Sequence, residues 1–146
     1  MKNVAVVDAS LAAMWAIPES YTPQALALAN QWAREETSLI APCLILSEVA
    51  NAIYKRILRG EMDLDTAITA LHVVMEFGVQ ILEEPGLHSG AIRIAHQLKK
   101  TNTYDCHYLS LSEIYDCVLW TGDERLFNSV KQSYPKVHWI GHYSSS

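Results

Sequence analysis

Four acidic residues, Asp8, Glu48, Asp105 and Asp123, occupy places in the chain where a carboxylate can do chemistry. Asp8 directly follows the apolar run VAVV and precedes Ser10 by two residues, and Asp123 closes CVLWTGD, two residues after Thr121. Glu48 and Asp105 fall near the starts of helical patterns. Each acid alone has a plain structural explanation. Asp8 and Asp123 can cap the helices entered at Leu11 and Arg125, and Asp105 gains from the macrodipole of its own helix. Glu48 alone reads as a solvated or dipole-favoured acid. Capping leaves a shared location unexplained. Carboxylates gathered in one pocket repel and take up protons unless a cation neutralises them, so convergence implies a divalent metal. An all-oxygen donor set favours Mg2+ or Mn2+ over zinc. Such ions orient water, lower its pKa and neutralise charge on a phosphate, which makes phosphodiester hydrolysis the reaction to expect.

The elements that must bring these acids together are legible from periodicity. Residues 2–7 read as a short strand of the buried parallel type, because Val4 to Val7 show no polar alternation. Further strands are expected at Ser38–Ala41, Val79–Leu82, Cys117–Thr121 and, at an edge, Val137–Ile140. Between them lie helical patterns. One follows Pro23, with Thr22 placed to cap it. A second runs from Pro42 to Gly60, with Leu46, Val49, Ala50, Ile53 and Ile57 as its apolar stripe and Glu48, Asn51, Lys55 and Arg59 as its polar one. A third starts near Asp63 and carries Leu64, Ala67, Ile68, Leu71 and Met75, forming a hairpin with the second. Others begin before Ala91, near Asp105 and around Leu126. Apolar strands alternating with helices indicate an α/β fold, a three-layer α/β/α sandwich on a mainly parallel sheet of about five strands. In such sheets ligands bind beyond the carboxyl ends of the strands, and the chain ends of the first and fourth strands carry Asp8 and Asp123. The helix starts that hold Glu48 and Asp105 belong to the same rim.

Composition narrows the alternatives. With 146 residues, half of them apolar, the chain suits one domain over residues 1–142 followed by a short Ser-rich tail at 143–146. No apolar run approaches a membrane span and no secretory leader is visible, so a cytoplasmic protein without membrane contact is expected. Three cysteines without CxxC spacing give neither a disulfide framework nor a zinc knuckle. The six histidines are scattered along the chain, which favours packing or surface roles over metal ligation. A net charge of −5 argues against holding nucleic acid by bulk electrostatics, so any such contact must be local. Lys55 and Arg59 continue the stripe of Glu48 and Asn51 and, with Arg125, are the candidate phosphate contacts. An aspartyl-nucleophile phosphatase needs a second acid two residues after the first, where this chain has Ser10. A dinucleotide-binding domain needs GxGxxG after the first strand, and DASLAAM has no glycine. A phospho-acceptor receiver domain needs paired acids at its first strand. The remaining rival is an idle binding module that keeps the acid pocket as a fold element, although all four acids are present.

Four separated stretches, VVDAS, SEVANAI, TYDCHYLSLSE and TGDERL, follow one another in an order that resembles the PIN domain, of the VapC-type toxin ribonuclease kind. The resemblance covers essentially the whole chain. It implies that Asp8, Glu48, Asp105 and Asp123 are both the catalytic and the metal-binding quartet, with Ser10, Asn51 and Thr121 as polar support. It implies Mg2+-dependent endonuclease cleavage of RNA, with Mn2+ as a possible substitute, leaving the phosphate on the 5′ side of the new end. It also implies a small antitoxin partner and a homodimer. An RNA-processing nuclease without an antitoxin is the alternative within the family.

Overall fold

The computed structural model describes residues 3–145. Five strands, β1 (Val4–Val7), β2 (Ser38–Ala41), β3 (Gln80–Ile81), β4 (Val118–Thr121) and β5 (Val137–Trp139), form one sheet in the order β3-β2-β1-β4-β5. Every pairing is parallel. Among the described residues seven α-helices connect them: α1 (Ala9–Ala13), α2 (Thr22–Arg34), α3 (Leu44–Leu58), α4 (Leu64–Met75), α5 (Leu87–Leu98), α6 (Tyr104–Tyr115) and α7 (Glu124–Val130). The expected α/β architecture is therefore present, and the sheet is parallel throughout rather than mainly so.

The central strand β1 is buried on both faces, with Ala5, Val6 and Val7 fully covered, which is why its sequence shows no alternation. Its neighbours contribute Ile40 and Leu119, and α6 brings Tyr108, Leu109 and Leu111 onto the sheet. Burying a large aliphatic side chain of this kind is worth roughly 1.5–3 kcal/mol, so the layer around β1 anchors the molecule. No helix among the described residues is long and apolar enough to cross a membrane.

Several boundaries differ from the sequence expectation for identifiable reasons. Residue 2 of the first strand and residue 146 of the tail lie outside the described residues. Thr22 does not cap α2; it is the first helical residue, and its hydroxyl donates to the carbonyls of Met14 and Ile17 while accepting from the Glu19 amide, tying α2 to the end of α1. The third strand shortens to two residues, and Ile140 leaves β5 to open a 3-10 turn over Ile140–His142. In α3 the buried stripe is Ile45, Val49 and Ile53, with Leu46 and Ala50 exposed. In α4 the buried residues are Ala67, Ala70 and Val74, leaving Leu64, Ile68 and Met75 exposed. Alanines fill two of the three buried places on α4, so its packed face is low and the larger side chains stand outward.

Candidate active site

The strand order places a topological switch between β1 and β4. The chain winds outward from β1 to β2 and β3, then returns to lay β4 on the other side of β1. Loops leaving adjacent strands at such a point diverge and open a crevice at the carboxyl edge. Val7 is in register with Trp120, so Asp8 and Thr121 emerge side by side at this crevice.

Asp8 is 4% exposed, and its carboxylate is held from three directions. The Leu11 amide donates to Oδ1 at 3.0 Å, making Asp8 the N-cap of α1. The Ser10 hydroxyl donates to the same oxygen at 2.7 Å, and the Thr121 hydroxyl donates to Oδ2. Both hydroxyls are themselves fixed: Ser10 Oγ accepts from the Gly122 amide and Thr121 Oγ1 from the Asp123 amide, each at 2.9 Å. Backbone geometry is thus relayed through two hydroxyls to one carboxylate. Gly122 leaves room there: a Cβ would stand 2.7 Å from the Met14 methyl and 3.0 Å from the Ser10 backbone, so both would have to shift. Burial pushes the Asp8 pKa up to about 6 despite these donors, and the charge of Asp105 pushes in the same direction.

The other three acids gather along the same rim. Glu48, half-buried on α3, accepts a 2.6 Å hydrogen bond from the Tyr108 hydroxyl of α6. Burial raises its pKa, the Tyr108 bond opposes that, and the charge of Asp105 raises it further. Asp105, in the first turn of α6, is raised by burial and then by the charge of Asp123, with Lys100 acting against both. Asp123 caps α7, accepting from the amides of Arg125 and Leu126. Asp105 thus couples electrostatically to each of the other three. The capping explanations for Asp8 and Asp123 hold, and the four acids are electrostatically coupled besides.

Among the described residues no three Asp, Glu, His or Cys side chains stand close enough to share a single ion. The hydrogen bonds account for this spread: Glu48 is turned to Tyr108, and Asp123 to the amides of its own helix. The donor set is nonetheless all oxygen, partly desolvated and mutually repulsive, which suits a hard divalent cation.

Beside the acids lies a groove of about 610 Å³ whose lining includes Ser10, Glu48, Asn51, Lys55, Arg59 and Arg125. The polar stripe of α3 therefore faces one cavity. Arg56 also reaches it but is paired with Glu19 and Glu61. Asn51 is exposed and does not touch the Asp8 network, in contrast to Ser10 and Thr121. A smaller concavity of about 420 Å³ lies at the opposite end of the strands, lined in part by Asn3, Glu35, Asp116 and Lys136, far from the acids. Asp116 is salt-bridged there to Lys136.

Sequence reasoning missed Tyr108. Its signal is positional: it lies three residues after Asp105, on the same side of α6. Burial and the Glu48 carboxylate hold its phenol well above the ordinary range, so it acts as a permanent donor.

A family model described as the PIN domain matches residues 12–136. The crystal structure of the protein PAE2754 from Pyrobaculum aerophilum superimposes with a TM-score of 0.69 at 25% sequence identity, covering 97% of this chain and 92% of that one. Comparison with curated proteins returns no match. The family match spans most of the chain and includes Glu48, Asp105 and Asp123, and the fold agrees with it from β1 to β5: the chain belongs to the PIN domain family.

Proposed function

We propose that this chain is a Mg2+-dependent endoribonuclease and the toxin of a type II toxin-antitoxin pair. One observation carries the reading: a buried carboxylate, Asp8, is fixed by two hydroxyls at the switch point of a parallel sheet, with three further acids coupled around it and a groove bearing Lys55, Arg59 and Arg125 alongside. PIN domains are generally metal-dependent nucleases, which agrees with that chemistry.

In this reading Asp8, Glu48, Asp105 and Asp123 hold the cation, and Mn2+ can replace Mg2+. When bound, the cation supplies charge neutralisation at the scissile phosphate and activates water. The chain's own residues do the positioning. Ser10 and Thr121 keep Asp8 in one rotamer, and the Tyr108 hydroxyl does the same for Glu48. Lys55, Arg59 and Arg125 contact the RNA backbone on either side of the acids, and Asn51 offers a hydrogen bond in the same groove. The ions bound by the acids offset part of the net negative charge.

The toxin role and a homodimer draw support from the α3–α4 hairpin, where Leu58, Leu64, Ile68 and Met75 are exposed together with Ile81. The antitoxin is a small protein, and the chain acts in the cytoplasm as one nuclease domain over residues 1–142.

The test is incubation of the purified protein with a panel of structured RNAs and Mg2+ or Mn2+, beside an Asp8→Asn variant and an EDTA control. Metal-dependent cleavage lost in both controls is expected; no cleavage of any RNA, or cleavage unaffected by Asp8→Asn, contradicts the reading. Growth arrest on unrestrained expression, relieved by a co-purifying small protein, is expected of a toxin. Robust growth with retained cleavage identifies an RNA-processing nuclease instead.

A further inference from the structure

Beside the acid cluster, two residues along α6 from Asp105, His107 faces His88 across the α5–α6 pair. His88 Nδ1 and His107 Nε2 are 3.0 Å apart. The outer nitrogen of each ring is also engaged: His88 Nε2 lies 2.7 Å from Glu83 Oε1, and His107 Nδ1 lies 2.7 Å from the Thr103 carbonyl oxygen. Both outer partners are acceptors, so each ring places an N–H on its outer side. Two neutral imidazoles so oriented direct two lone pairs at each other. That contact is repulsive unless a cation, either a metal ion or a proton, stands between them.

The outer contacts are those that metal-ligating histidines use, one to a carboxylate and one to a backbone carbonyl, fixing tautomer and ring orientation. The separation also fits. An ion about 2.05 Å from both nitrogens would sit off the line between them and subtend roughly 94°, between the square-planar and tetrahedral angles, and a turn of the exposed His88 ring would aim its lone pair there. The scaffold is rigid. Gly90 allows α5 to approach α6 so closely that a Cβ there would meet Ser110 Oγ at 2.3 Å, and the Ser110 hydroxyl donates to the Leu87 carbonyl at 2.8 Å. The His88 side chain is 65% exposed, leaving the remaining coordination positions open to water.

We propose that His88 and His107 form a two-histidine site for a late first-row transition ion of the Zn2+ class, oriented by Glu83 and the Thr103 carbonyl. Imidazole nitrogen selects such ions over Mg2+, so the site is chemically distinct from the all-oxygen acid cluster.

The probe is Zn2+ alone, titrated into metal-stripped protein in a large excess of Mg2+ at about pH 7.5. One Zn2+ per chain with micromolar affinity is expected. His88→Ala and His107→Gln should each weaken it at least tenfold, and Glu83→Gln by about tenfold through lost orientation. Asp8→Asn should leave it unchanged. His88 is exposed, so His88→Ala should unfold at the wild-type temperature, which separates a lost ligand from a lost fold. Zn2+ binding of equal strength in wild type and His88→Ala, or no binding by wild type up to millimolar Zn2+, overturns the proposal and assigns the gap to a shared proton.

Discussion

At the scale of single residues, Asp8 carries the most unusual balance of forces. Three donors satisfy its carboxylate, yet burial still lifts its pKa from 3.8 to about 6. The sign for stability follows. Between about pH 4 and pH 6 the folded chain binds a proton at Asp8 that the unfolded chain has lost, so stability rises as pH falls through this window. Above it the folded state carries a buried charge at a cost of roughly 3 kcal/mol. Asp8→Asn, measured by thermal unfolding in EDTA at about pH 7.5, should therefore stabilise the chain by roughly 1–3 kcal/mol, even as it removes the proposed activity. A lower midpoint for the variant would show that the carboxylate stabilises the fold on its own. The sequence made the partners of Asp8 visible, because Ser10 and Thr121 stand two residues from acids at strand ends. It could not reveal Tyr108, whose role depends on α3 and α6 meeting over sixty positions of separation. The histidine pair was hidden for the same reason: His88 and His107 lie nineteen residues apart on different helices, and only tertiary packing joins them.

At the scale of elements, α3 performs two tasks with two faces. Ile45, Val49 and Ile53 bind it to the core, while Glu48, Asn51, Lys55 and Arg59 line the groove. The polar face was legible because charge at helical spacing is a property of the chain alone. On the apolar face Val49 and Ile53 pack as expected, but Leu46 and Ala50, as hydrophobic as the residues that pack, are exposed and Ile45 is buried instead. In α4 the same ambiguity acts: Ala67 and Leu71 pack as expected, while Ala70 and Val74 take places expected of Leu64, Ile68 and Met75, which are exposed. If Lys55 and Arg59 carry RNA phosphates, their joint replacement by Ala should weaken RNA binding and flatten its logarithmic salt dependence by about 1.4, or 0.7 per cation on a single strand, without altering Mn2+ affinity. Fluorescence anisotropy across a salt series reads both quantities; an unchanged slope would return these residues to a solvated helix face.

At the scale of the whole molecule, the parallel sheet and its switch point do what no individual element can. Five strands leave their carboxyl ends on one rim, and the acids after β1, on α3, on α6 and in the β4–α7 turn couple electrostatically there despite lying far apart in sequence. The α/β alternation fixed this rim in advance, whereas the distances between the acids depended on hydroxyl and amide donors that only the fold assembles. A fold carrying uncompensated acids should respond to hard cations as a unit. Mg2+ should raise the unfolding midpoint at about pH 7.5, and the increment should shrink as pH falls through 6, where protons compete for Asp8. An increment independent of pH would place Mg2+ elsewhere on the surface.

The central claim is that Asp8, Glu48, Asp105 and Asp123 act as one cation site, and calorimetric titration with Mn2+ addresses it most directly. The wild-type chain should bind Mn2+ at millimolar or better, releasing protons at about pH 6 but few at about pH 8, and Asp8→Asn should lose that binding while remaining folded. Equal Mn2+ binding by the two proteins, with no proton release at either pH, would contradict it.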